Sequence, residues 1–465
     1  MRFARNVLST FITEVVLVGL NLIIGILMAR MLTLAARGVL ALAMTAPVTV
    51  AYFIDPGIIQ SIIYLIGRKE RAAEAVVANA LTLATVIGTV AAIVLWLARG
   101  VILRTFLSGL TVAQFTLLLL LLPFFLLDSY MMSVLRAIHC FDLYNLRRLL
   151  GQLILLVAMF LVLVVFNKAA SGAVLAFVCA SAASAVLGLV FVGSKVRLRP
   201  GLHLGLLGEA LPYGLKSYVQ NLVGHLNYRL DVYLLAMFLA PAQIAFYAIA
   251  TNIAELVWYI PDSVGTVLFP KLSAAPREHV HFMTAEVCRH TIFITALATL
   301  GLATVGWVVV PLFYGPAYLP ALVPLFILLP GILSMAVYKV LTRNFSSRDR
   351  QQMSILAAAV ALILNVGLNL VVIPRYGIGG AAASSLVSYT ASSAVLLVAF
   401  LRDSGLSWRE TLVIRREDWA RYSELGKRVW QWAEQVLPSP TVQVGARVEE
   451  AGLKESGTPF SGSTH

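Results

Sequence analysis

Inside an apolar run from Leu211 to Leu239, the stretch HLNYRLDVYLL (225–235) carries His225, Asn227, Arg229 and Asp231. A guanidinium, a carboxylate, an amide and an imidazole at this spacing are groups that hold a charged ligand. At mid-bilayer an Arg or Asp costs about 2.5–3.5 kcal/mol, so such groups persist where they face a protein interior or a wet cavity. On a helix, Lys216, Gln220, Gly224, Asn227 and Asp231 step by four, four, three and four and fall on one stripe. Tyr218, Asn221, His225 and Arg229 form a second, roughly opposite stripe. A helix with two polar faces belongs inside a bundle, with at least one face toward water or substrate. Arg229 and Asp231 are two positions apart and do not face each other, so each needs a partner elsewhere. A buried ion pair that only fixes packing stays open for both.

The same pattern occurs earlier in the chain. Asn21 and Asn227 are separated by 206 positions (227 − 21), and at that offset Met31 matches Met237, Ala36 matches Ala242, Thr45 matches Thr251 and Ile54 matches Ile260. The LLP ending at Pro123 recurs as the LLP ending at Pro330, Arg136 and Arg343 keep that offset of 207, and Gly172-Ala173 recurs as Gly380-Ala381. A nearly constant offset over six helices marks an internal repeat. Shifted by 206, Lys216, Gln220, Asn227 and Asp231 fall on Thr10, Glu14, Asn21 and Gly25, which form one face of the first helix. Two related helices with matching polar stripes are expected to wall a central cavity. The candidate lining is Glu14, Asn21, Lys216, Gln220, Asn227, Arg229 and Asp231, with Glu255, whose charge no local partner explains.

Matched kinks accompany the stripes. YFIDPG (52–57) aligns with WYIPDS (258–263), and proline removes a backbone hydrogen bond. Asp55, Pro56, Pro261 and Asp262 are therefore expected at a kink with a satisfied carboxylate or at a hinge between rocking lobes. Pro123 and Pro330 mark a second matched pair. Arg136, Lys339 and Arg343 close helices toward one membrane face, where they snorkel to headgroups or form an anionic phosphate site.

Bulk composition sets the frame. The 465 residues are 60% apolar and 12% charged, with a net charge of +13 and a mean hydropathy of +0.88. A soluble chain carries roughly twice that charged fraction. By the ruler of about 20 apolar residues per crossing, twelve spans are expected, near 7–30, 38–66, 73–98, 110–136, 147–166, 172–194, 209–239, 243–270, 284–312, 318–342, 352–374 and 378–402. The expected fold is all-α and polytopic, two six-helix lobes (1–194 and 209–402) joined by a cytoplasmic linker (195–208) and related by a parallel pseudo-two-fold repeat around the cavity. An amphipathic cytoplasmic tail helix (403–437) and a disordered end (438–465) are expected to follow. Lys and Arg gather in alternate loops, including Arg68, Lys69, Arg147, Arg148, Lys195 and Arg197, which puts both termini in the cytoplasm. Charge confined to short loops also argues against nucleic acid as partner.

Other chemistries find no support in the sequence. The N-terminal apolar stretch is too long for a cleaved signal and is read as the first span. Cys140, Cys179 and Cys288 lack C-x-x-C spacing, so neither disulfide framework nor metal site is expected. GEALPYGLKS (208–217) has the wrong spacing for a phosphate loop, and the extramembrane loops are too short to hold a catalytic triad or a carboxylate pair. The chain is therefore not expected to be an enzyme.

The stretch from Tyr228 to Ser273, with R-x-D at Arg229–Asp231, Tyr247-Ala248 and a Pro-x-Leu-Ser ending at Ser273, resembles the seventh and eighth helices of polysaccharide-biosynthesis flippases. VIPRYGIGGAAASSLVSY (372–389) resembles their helix 11–12 hairpin. The resemblance runs over roughly residues 7–402 and points to the MOP superfamily, MATE-like in fold, with Wzx-type O-antigen flippases as its best-known members. It implies transport of a polyprenyl-pyrophosphate-linked oligosaccharide across the inner or plasma membrane. It also implies contact with membrane lipids and with polysaccharide polymerase or glycosyltransferase partners. No cofactor is implied beyond a coupling ion, H+ or Na+. A cation-coupled multidrug antiporter and a lipid II flippase are the alternatives within the superfamily.

Overall fold

In hydrocarbon every backbone N–H and C=O must be satisfied within the segment, and long apolar runs without sheet partners do this as helices. The computed structural model describes residues 2–68, 73–107, 109–168, 170–274, 276–348 and 350–419. The first half comprises α1 (Arg2–Met31), α2 (Leu34–Ile54), α3 (Ile58–Arg68), α4 (Ala73–Leu97), α5 (Arg99–Thr105), α6 (Val112–Leu120), α7 (Leu122–Ala137), α8 (Phe141–Phe160) and α9 (Ala170–Gly193). The second comprises α10 (Leu204–Phe238), α11 (Pro241–Glu255), α12 (Tyr259–Ala274), α13 (Arg277–Val309), α14 (Leu322–Ser347), α15 (Gln351–Ser404) and the short α16 (Trp408–Leu412). Among the described residues ten segments are long and apolar enough to cross a bilayer. α10, 35 residues long but studded with polar groups, is not one of them. α15 reverses at Gly377 (φ 58°, ψ −137°), so its two arms lie side by side: Asn365 on one donates to Ser385 and Ser388 on the other.

The kinks have local causes. α2 stops at Asp55, whose carboxylate accepts the Ile58 N–H at 2.9 Å and the Tyr130 hydroxyl at 3.2 Å. The acid thus caps α3, and Pro56 and Gly57 (φ 88°) make the turn. Between α11 and α12 runs a tight turn, Leu256–Trp258, and Pro261 stands in the first turn of α12, where its missing N–H has no helical partner to lose. Pro123 likewise begins α7. It packs under α4, where a Cβ on Gly88 would lie 2.5 Å from the Pro123 Cα. Pro330 sits inside α14, beside Gly331, which lets the α15 backbone approach at Leu386.

Packing joins the halves unevenly. Where α1 stops and α2 begins, one core draws on both halves, with Ile24, Met28, Leu40 and Leu42 against Leu235, Ile244, Ile249 and Leu325. Toward the other end each half has its own core, around Val77, Tyr130 and Met131 in the first and around Cys288, Leu341 and Phe400 in the second. α10 bridges them: early on it crosses α3 at Gly57 and Gly214, where a Cβ on Gly214 would lie 2.5 Å from the Gly57 carbonyl oxygen, and it also packs on α15.

Two expectations change. α8 starts at Phe141, after a turn that puts His139 at φ 57°, and not at 147, so Arg147 and Arg148 belong to a helix and not to a loop. Within the expected helical tail (403–437), α15 ends at Ser404, a Ser407–Glu410 capping box starts the separate α16, and residues 416–419, where the amphipathic pattern begins, are helical again. The remainder of the expected tail helix (420–437) and the expected disordered end (438–465) lie outside the described residues.

Candidate functional site

The polar stripe of α1 meets α8. Glu14 takes two hydrogen bonds from Arg148, at 2.6 and 3.0 Å, and both side chains stay partly open. One and two turns on, Gln152 donates to Asn21 at 2.7 Å. Arg148 also lies over the Tyr144 ring at 5.5 Å, and Arg136 of α7 lies 5.8 Å from the same ring and donates to Ser133. Arg147 pairs with Asp128 on α7.

The second half answers with its own pair. Arg229 of α10 donates to both oxygens of Glu255 at the end of α11, at 3.0 and 2.9 Å. Fork-on-carboxylate geometry fixes both side chains as well as neutralising them. Beside the pair, Tyr228, Trp258 and Tyr389 pack as an aromatic cluster with centroids 5.1–6.2 Å apart. Lys339 of α14 bonds Asp262 at 2.6 Å and stands over the Trp258 ring at 4.8 Å. Arg343 lies against α12 at Gly265. Tyr259, where α12 begins, stays exposed beside the turn at Leu256–Trp258.

The expected lining therefore divides. Glu14, Asn21, Arg229 and Glu255 keep solvent-accessible surface, and Gln220 is half-buried. Asn227 and Asp231 are 4% and 2% exposed. Asp231 is held by the Tyr247 hydroxyl and the Val232 N–H, with Ser385 behind Tyr247, so it faces α11 and α15 and no open space. The Lys216 side chain lies outside the described residues. Asp55 and Asp262 have their partners in Ile58 and Lys339. His225 stacks on Tyr52 at 4.1 Å and bonds Thr49 at 2.9 Å, tying α10 to α2.

Arg148, Gln152 and Tyr259 were not among the sequence candidates. A signal was present: Arg148 and Gln152 are four apart on one face of α8, matching Glu14 and Asn21, seven apart on one face of α1. Counting Arg148 as a loop charge hid it.

Comparisons with known proteins bear on this arrangement. A curated relative, the probable low-salt glycan biosynthesis flippase Agl15 of Haloferax volcanii, is 20% identical over 185 residues, 39% of this chain; the match likewise spans only 39% of the relative's length. Among solved structures, the lipid II flippase MurJ in an inward closed conformation superposes with a TM-score of 0.72 at 15% identity, covering 86% of this chain and 90% of that one. An inward-facing multidrug resistance MATE family transporter of the MOP superfamily gives 0.72 at 14% identity, over 83% and 94%. A MOP superfamily transporter from Pyrococcus furiosus gives 0.58 at 15% identity, over 87% and 95%. At such identities the likeness is one of fold. A family profile of polysaccharide biosynthesis proteins matches residues 27–323, and with this all-helical, MOP-like bundle around it the chain is a multi-pass membrane protein that belongs to the polysaccharide biosynthesis protein family.

Proposed function

We propose that the protein is a flippase that moves a polyprenyl-pyrophosphate-linked oligosaccharide across the cytoplasmic membrane by alternating access, for cell-surface polysaccharide biosynthesis. One observation carries the reading. Two guanidinium–carboxylate pairs, Arg148–Glu14 between α8 and α1 and Arg229–Glu255 between α10 and α11, stand one in each half, and both stay partly open. A sugar-pyrophosphate head cannot enter hydrocarbon with its polar groups unpaired. Partly open guanidiniums can exchange a carboxylate for a phosphate oxygen, while amides such as Asn21, Gln152 and Gln220 take the sugar. Arg136, Lys339 and Arg343 extend the positive charge toward the end where each half has its own core. The family and the flippase relative point the same way.

The topology proposed is twelve spans. To the ten apolar segments are added α10, which packs against both halves, and a second crossing from the reversal of α15. The breaks at Asp55–Gly57 and Leu256–Trp258, each in the second span of its half, support a pseudo-two-fold relation. Loop charges support cytoplasmic termini.

A second reading, cation-coupled drug export with the same fold, is favoured by one feature. The buried carboxylate of Asp231 is linked through Tyr247 and Ser385 to Asn365 and Asn369, a setting suited to a coupling H+ or Na+. Flipping of a fluorescent polyprenyl-pyrophosphate oligosaccharide in reconstituted vesicles separates the two. Lipid flipping that Arg148→Ala and Lys216→Ala abolish supports the first; no lipid flipping with ion-driven efflux of an organic cation replaces it with the second.

A further inference from the structure

Arg37 is a charged side chain that none of these pairs uses. It stands early in α2, 3% exposed, its Nε is buried without a partner, and its guanidinium makes no ion pair or hydrogen bond among the described residues. In the segment between α13 and α14, Tyr314 and Tyr318, their rings 6.3 Å apart, belong to the same buried core as Val39 and Leu40, which follow Arg37 in α2, and their hydroxyls are the polar groups that act on it. Tyr318 is 2% exposed, and its hydroxyl is also buried and unpartnered. The Tyr314 hydroxyl lies against α1, 3.9 Å from where a Cβ on Gly25 would stand. Phe246 closes the group from α11, edge-on to Tyr318 at 6.0 Å. A guanidinium from the first half and two phenols from the second thus converge at the end where α1 stops, away from the Arg148–Glu14 and Arg229–Glu255 pairs.

Burying a permanent charge with no counter-ion is strongly unfavourable, and the cost is offset only when a partner is supplied. The groups here are donors. Arginine has N–H groups alone to offer, a phenol can donate its O–H, and among the described residues no carboxylate pairs with Arg37 to select a cation. We propose that Arg37, Tyr318 and Tyr314 form an oxyanion site that takes a phosphate-type group as the halves part at this end. Its use as the last station before release rests on the flippase reading, whereas anion binding itself does not. Lipid-linked pyrophosphate and free inorganic anion share the chemistry the site recognises.

The test uses the purified full-length protein in detergent, with inorganic pyrophosphate and geranylgeranyl pyrophosphate as separate probes and Kd read from the rise in Tm. Binding of either is expected to weaken at least about tenfold in Arg37→Gln, the loss of one charge-assisted interaction, and about threefold or more in Tyr318→Phe. Arg148→Gln, in the cleft, should leave that Arg37-dependent component in place. A response to both probes identifies the anion alone as sufficient, and a response to the lipid alone identifies the lipid-borne group; either supports the site. If Arg37→Gln does not fold, Tyr318→Phe, which keeps its ring against Phe246, carries the test. Unchanged Kd in the folded variants, or no response of the unmodified protein to either probe, overturns it. Absence of lipid flipping by the unmodified protein, with Arg37-dependent binding intact, would instead count against the transport reading.

Discussion

Arg229 reaches from α10 to Glu255 at the end of α11 and meets both carboxylate oxygens, at 3.0 and 2.9 Å. Glu255 stands where α11 gives way to the tight turn at Leu256–Trp258, so the pair ties the second half's polar wall to its kink. Removing one partner leaves the other charge poorly solvated. Arg229→Ala or Glu255→Ala is expected to lower stability by about 1–3 kcal/mol. The exchange Arg229→Glu with Glu255→Arg should recover most of it. Thermal unfolding of the four proteins in detergent checks this, and an additive double variant would deny the coupling.

Glu14 is more open than Glu255, its side chain 38% exposed against 20%, so loss of the Glu14–Arg148 pair should cost less stability and more function. Glu14→Gln and Arg148→Ala are expected to fold with a Tm near that of the parent and to flip at least about tenfold more slowly, the equivalent of one charge-assisted bond. Initial rates in vesicles, normalised to inserted protein, decide it; parental rates in both would remove this pair from the transport path.

The Gly57–Gly214 crossing leaves no room for a side chain, and Gly57 also holds φ 88°. Gly214→Val should push α10 off α3 and destabilise the bundle, whereas Gly224→Ala, on the same helix with nothing within 4 Å of its would-be Cβ, should be tolerated. Comparing their Tm values tests whether this approach joins the halves.

Beyond α15 the chain is strapped to α13. Arg289 donates to both oxygens of Asp418, at 2.7 and 3.1 Å, and to the Glu410 carbonyl at 2.7 Å. That hydrogen bonding holds the Asp418 carboxyl at about 2, below its ordinary 3.8. A depressed carboxyl stabilises the strap fully above its ordinary value and loses that contribution as pH falls toward about 2. The strap should therefore resist trypsin at Arg415 and Arg416 equally at pH 8 and pH 6. Asp418→Asn, which removes the charge at every pH, should expose those sites at pH 8. Equal protection in the variant would mean that apolar contacts alone hold the segment.

The composition and 20-residue runs of this chain determined a helical membrane bundle, because hydrocarbon leaves the backbone no other local solution. The four-four-three-four spacing on α10 was enough to say that its polar residues could not all face lipid, and Pro56 and Pro261 were enough to locate the breaks. Spacing along one helix is silent about the neighbour, however. That Asp231 turns inward to Tyr247 while Arg229 meets Glu255 depends on where α11 and α15 pack, and that Arg148 is a wall residue depends on α8 starting at Phe141. Only the tertiary structure decided which charges are paired, which stay open to a ligand, and that Arg37 has no partner among the described residues, since each is a relation between helices distant in sequence.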